Sequence, residues 1–210
     1  MTSRSLAVSF LHGVLCGHLF AISAGAQVRL ESSDSAVAEQ CRITVQREGR
    51  GSGERTQQLR ALTRCNVTGP SLLVQRWAAP SNEFGELSAL LAASYYLPDV
   101  RVLRRLNEVV QDTSQPLVVR QGALVTILGI LEPVHVPSVR RDDRTGALYA
   151  SFVATDHEAP TPMAQAIPSA EREESARIAA RIAKVDSNPL LRYQANAVAS
   201  LLRSQRESKR

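Results

Sequence analysis

Between Ala36 and Leu202, apolar residues return every three or four positions, and prolines, glycines and short acidic side chains cut the pattern at short intervals. That is the period of helices turning one face to a core. Residues 34–47 carry two patterns at once. Asp34 or Ser35 can cap a helix with Ala36, Val37, Cys41 and Val45 on one side, yet Cys41, Ile43 and Val45 also alternate as in a strand. Helix is preferred because everything downstream is helical. Gly49 to Gly53 marks a flexible turn. Leu59, Leu62 and Cys65 then repeat at helical spacing, and Asn66 and Gly69 end that helix. Pro70 suits the first position of a helix carrying Leu72, Leu73 and Trp77. Ser81 caps the next, from about Asn82 to Tyr96, with Phe84, Leu87, Leu90 and Leu91 inward. Pro98-Asp99 opens another to about Gln111, with Leu103, Leu106, Val109 and Val110 inward. After Pro116, the run Leu117 to Leu131 is interrupted only by Arg120, Gln121 and Thr126, which places it at the centre of the fold.

The helical period lapses over residues 132–167. Pro133, Pro137, Pro160, Pro162 and Pro168 border or punctuate this insertion. Val134 to Arg141 and Ala147 to Ala154 can pair as a β-hairpin around residues 142–146, and Ala159 to Ala166 reads as an extended linker. A segment of that length without helix is often functional or unstructured. Helix resumes at Pro168, with Ala176, Ile178, Ala179, Ile182 and Val185 as its stripe. Residues 186–188 turn the chain, and Pro189 opens a last helix carrying Leu190, Leu191, Ala195, Val198, Leu201 and Leu202.

Two of these helices echo one another. Val119-Arg120-Gln121-Gly122-Ala123 and Leu191-Arg192-Tyr193-Gln194-Ala195 align without a gap, 72 residues apart, each behind a proline-started entry. Self-similarity at such a spacing marks stacked helical hairpins. The chain resembles the HEAT-repeat family over residues 82–131 and 168–203. The resemblance implies an all-α fold of stacked helical hairpins, an α-solenoid or superhelix. It further implies that Arg120 and Arg192 are structural, each at the start of an inner helix, with Asp99 or Asp186 as partners. Inner-helix residues such as Gln121, Tyr193 and Gln194 would line a concave, partner-binding face.

The first residues change the expected address. A short start with Arg4, an apolar stretch from Leu6 to Ile22 and Ala24-Gly25-Ala26 fit a cleaved signal peptide over residues 1–26. An uncleaved anchor is the weaker reading, because the stretch is short and carries His12 and His18. No later segment is long and apolar enough to span a membrane, so the product is expected to be exported, periplasmic or extracellular. Residues 27–33 form a flexible leader, residues 34–203 the helical domain, and residues 204–210 a disordered basic tail. Low aromatic content, 4%, suits close-packed helices.

Cys16 leaves with the signal, and Cys41 and Cys65 remain as an even pair in an oxidising compartment. A disulfide is the preferred reading over two buried thiols. Helical geometry opposes it if one helix ends at Arg47 and the next starts at Glu54. The two cysteines then miss each other by roughly 7.5 Å along the axis. The second helix must start near Gln57, or the first segment must not be helical.

The formal charge of +5 is dispersed among interleaved acids, with small concentrations at Arg140-Arg141 and after Arg203. A nucleic-acid binder would gather it on one face beside aromatic groups, so no nucleic acid is expected as partner. Chemistry is sparse. His135 could meet Asp156, His157 and Glu158 within the insertion, near Asp142-Asp143, yet metal-ligand spacing is missing and neither metal nor other cofactor is expected. No Gly-x-Ser-x-Gly elbow or phosphate loop occurs. Asn66-Val67-Thr68 matches a glycosylation acceptor as well as a helix stop. Trp77, the sole tryptophan, is expected in the core. These readings favour a non-catalytic module that binds or scaffolds another protein. An enzyme centred on His135, Asp156 and His157, and a structural envelope protein, are the alternatives.

Overall fold

The computed structural model describes Glu31, residues 34–155 and residues 167–208. The expected signal peptide, most of the leader, the linker residues 159–166, and Asp156, His157 and Glu158 lie outside the described residues.

The described residues are mostly helical. Helix α1 spans Ser35–Gln46, α2 Ser52–Ala61, α3 Gly69–Ala78, α4 Phe84–Tyr96, α5 Val100–Gln111 and α6 Leu117–Leu131. Strands β1 (His135–Arg141) and β2 (Leu148–Ala154) follow, then α7 (Ser169–Val185) and α8 (Pro189–Ser208). The last helix thus runs into the segment expected to form a disordered tail.

Local chemistry explains several boundaries. The Asp34 carboxylate accepts from the N–H groups of Ala36 and Val37, which decides residues 34–47 in favour of helix. Asp99 caps α5 in the same way, through the N–H of Arg101. Burial pushes the Asp99 carboxyl up, but hydrogen bonds and charge from Arg101 outweigh it and hold it below its ordinary value. Asn188 Oδ1 accepts from Leu190 and Leu191 at the start of α8. Ser81 accepts from Glu83 and turns the chain, but α4 begins only at Phe84, which is 43% exposed instead of inward. Gly69 opens α3 instead of ending the preceding helix.

The conflict over the cysteines resolves at an end that the spacing argument did not consider. Helix α2 starts early, at Ser52. It stops at Ala61, gives way to a single 3-10 turn (Leu62–Arg64), and leaves Cys65 in non-helical backbone. Cys41 and Cys65 then stand 5.5 Å apart at Cα and form a disulfide, with both residues buried. Closing a loop of 24 residues contributes about 3 kcal/mol.

Alternate helices lie side by side. Helix α2 packs on α4, α4 on α6, and α6 on α8; α3 packs on α5, and α5 on α7. Consecutive helices also meet, most extensively α5 with α6 and α7 with α8. Helix α6 is buried from Val118 to Leu131, as its unbroken apolar run predicts. Bonds between side chains tie the rows. Arg55 forms an ion pair with buried Glu86 between α2 and α4. Asn107 donates to Ser175 between α5 and α7. Arg172 donates to the carbonyl of Leu131, at the negative end of the α6 dipole.

Within the insertion, β1 and β2 pair as the antiparallel hairpin that the sequence allows for residues 134–154. Its register pairs His135 with Ala154 and Arg141 with Leu148. Asp142 Oδ1 accepts from the N–H groups of Arg144 and Thr145, and Gly146 takes a φ of 69°, which closes the turn. The hairpin covers α4 and α6, with Val139 and Ala150 buried, and Gln194 of α8 donates to the carbonyl of Ala150 at 2.8 Å.

This cover needs Gly129. A Cβ there would stand 2.8 Å from the backbone oxygen of His135 and 3.0 Å from both Pro137 Cδ and Tyr95 Cδ2. Helix propensity alone predicts that Gly129→Ala stabilises by about 1 kcal/mol. The close approach reverses the sign: the variant is expected to lose about 1–3 kcal/mol. A urea titration checks the direction, and faster amide exchange in β1 identifies the lifted strand.

Candidate functional site

The residues singled out from the repeat pattern separate into three environments. Arg120 and Asp186 form an ion pair with side chains only 6% and 5% exposed. Arg120 Nε also donates to the carbonyl of Val110 at 2.9 Å, and Asp186 Oδ1 accepts from the N–H of Asn188. Arg192 reaches the same turn, donating through Nη1 to the carbonyl of Asp186 at 3.2 Å. The end of α5, the start of α6 and the turn between α7 and α8 therefore meet at one buried carboxylate. Asp99, the other partner expected for these arginines, caps α5 and pairs with Arg101 instead.

The three residues expected on a partner-binding face do not share one. Gln121 is 6% exposed inside the packing around α6, so it presents no surface. Gln194 is half-buried and engaged with β2. Tyr193 is 80% exposed, beside the exposed Val185 and Leu190 where α7 turns into α8. The correction follows from position on the helix. The apolar-Arg pattern marks where a helix enters the packing, but not which of its following residues meets solvent.

His135 is 9% exposed at the root of the hairpin, edge-on to Phe152 with ring centroids 5.3 Å apart, and its Nδ1 has no hydrogen-bond partner among the described residues. Its expected companions Asp156 and His157 lie outside the described residues. Asp142 spends its carboxylate on the turn, and the N–H of Thr145, chief among its donors, holds that carboxyl below the usual range. No group of three or more His, Cys, Asp or Glu among the described residues could hold a metal ion. Asn66 and Thr68 sit half-buried in the turn beside the disulfide, while Glu31 accepts from the N–H groups of Val67 and Thr68.

A surface groove of about 530 Å³ was not read from the sequence. It lies between the end of α1, the loop after it and the outer side of α3. Arg47, Arg50 and Arg76 border it with Glu48, over Val45 and Leu72. Gln58 does not line it but bonds to residues beside or on its rim. This residue is 5% exposed; its Nε2 donates to the carbonyls of Thr44 and Arg47, and its Oε1 accepts from Arg76 Nη2 at 2.7 Å. Two helix-end carbonyls are thereby occupied and one guanidinium is held in place. Arg76 Nε is buried without an acceptor among the described residues. No ion pair within the described residues engages Arg47, Arg50 or Arg76. The three arginines fall on a helix end, a glycine-rich loop and a separate helix, so no sequence spacing announces them.

No helix among the described residues is long and apolar enough to cross a membrane. Comparison with protein-family models, with curated proteins and with solved structures gives no match to this chain.

Proposed function

We propose that this chain is an exported, non-catalytic module of stacked, HEAT-like helical hairpins that binds or scaffolds another protein. The observation that carries this reading is the packing order. Alternate helices lie side by side in two sets, α2-α4-α6-α8 and α3-α5-α7, and α5 packs across on α6 as α7 does on α8. A hairpin of helices cannot bury its apolar stripe alone, so successive hairpins stack, and the stack offers a long surface suited to extended partners. The buried Cys41–Cys65 disulfide supports an oxidising compartment. The structural role proposed for Arg120 and Arg192 is supported by their shared attachment to the Asp186 turn.

The test is crosslinked affinity capture of the full chain from its native envelope. A single dominant protein partner, retained by a His135→Ala variant, is the expected result. One observation favours a second reading: the buried Nδ1 of His135, without a partner among the described residues, suits an acid-base group. Loss of a measurable turnover in His135→Ala, with the fold intact, would put an enzyme in place of the module.

A further inference from the structure

We propose that the groove bounded by Arg47, Arg50 and Arg76 takes an extended, carboxylate-rich stretch of a protein partner. The proposal rests on the interaction-module reading and narrows it to one surface and one chemistry.

Charge is the first argument. Three arginines and one acid, Glu48, line the groove. Within the described residues none of the three arginines is held in an ion pair, so their charge is open to an incoming anion. A guanidinium offers a planar fork of donors that matches a carboxylate.

Preparation of the site is the second argument. The C-terminal end of a helix is normally hostile to anions, because its free carbonyls carry the negative end of the dipole. Here Gln58 occupies the carbonyls of Thr44 and Arg47. The same side chain fixes Arg76, leaving its buried Nε without an acceptor among the described residues. A buried donor of that kind is costly unless something supplies the acceptor.

Shape selects among anions. The groove is open, is far larger than a lone oxyanion, and has Val45 and Leu72 between its arginines. Acidic side chains alternating with apolar ones fit that lining better than a bare phosphate does.

The experiment uses the full chain and a fluorescein-labelled hexapeptide of alternating glutamate and leucine, read by anisotropy. The probe variant is Arg47→Glu with Arg50→Glu. Both residues are exposed and their side chains make no hydrogen bond or ion pair among the described residues, so the fold should persist. Arg140→Glu with Arg141→Glu makes the same charge change on the hairpin and serves as control. Saturable binding by the parent and the control, weakened at least tenfold in the probe variant and absent for a glutamine-for-glutamate peptide, is the expected result. No saturable binding by the parent, or equal loss in both variants, overturns the proposal. Full displacement of the peptide by millimolar inorganic phosphate also overturns it, in favour of a simple anion site. A partner captured from the native envelope equally by parent and probe variant removes the groove but leaves the interaction reading. Capture of nothing by either removes that reading itself.

Discussion

Replacing Arg120 by methionine is expected to lower the unfolding free energy by about 3–5 kcal/mol, the usual consequence of stranding one member of a buried ion pair. Methionine keeps most of the side-chain volume and removes the charge and both hydrogen bonds, to Val110 and to Asp186. The pH dependence separates this cause from simple loss of packing. Burial pushes the Asp186 carboxyl up, but hydrogen bonds from Arg120 and the Asn188 N–H, with the Arg120 charge, outweigh it and hold the carboxyl below its ordinary value. A depressed acid stabilises the fold at every pH above its unfolded value, near 3.9. That contribution is lost only as the pH falls through the lower folded value. In Arg120→Met the carboxylate stays buried without its cation, so protonation relieves the variant. The difference between parent and variant should be widest near neutrality and should narrow as the pH drops toward 4. Chemical denaturation at several pH values, followed by the fluorescence of Trp77, measures it. A gap that does not change with pH, or one below about 1 kcal/mol, contradicts the assignment.

Trp77→Ala is expected to cost about 3–5 kcal/mol, in the range for emptying a packed aromatic site. Trp77 is fully buried, and its Nε1 donates to the equally buried Ser94 Oγ at 2.9 Å. The substitution opens a cavity between α3 and α4 and leaves that hydroxyl without its donor. Arg105 reaches across from α5 to the carbonyl of Trp77, so the damage should spread into the centre. Trp77→Phe refills most of the space and loses only the indole donor; its cost should stay under about 2 kcal/mol. Urea titrations followed by circular dichroism compare the two, because both variants lack the sole tryptophan. Similar costs for the two would mean that the hydrogen bond, not the packing, holds this part of the core.

The helices after Pro70 were readable because each has a distinct stripe and a chemical boundary, and α5 and α6 match their expected limits within a residue or two. The repeat pattern drew attention to Arg120 and Asp186, which form a buried ion pair, since a charge at the entry of an otherwise apolar helix must be neutralised wherever it is buried. The α2 region was misjudged because spacing gives the period of a helix but not where it tightens into a 3-10 turn. Phe84 and Gln121 were misplaced for a related reason. A helix hydrophobic nearly all round, like α6, has no pattern to say which residue looks outward, and a residue at a helix start lies beyond the packed turns. The groove was unreadable for a different cause: Arg47 at the end of α1 and Arg76 on α3 are joined through Gln58, a residue that no local rule distinguishes.

The enclosure of α6 has a consequence for biosynthesis. Its neighbours include β1 and β2 and, further on, α8, and its Arg120 waits for a carboxylate 66 residues downstream. At about 5–20 residues per second, a ribosome leaves the most water-averse stretch of this polypeptide uncovered for several seconds. During that interval the nascent chain is a natural client for holding chaperones, and a product cut short before α7 should be sticky, not merely incomplete.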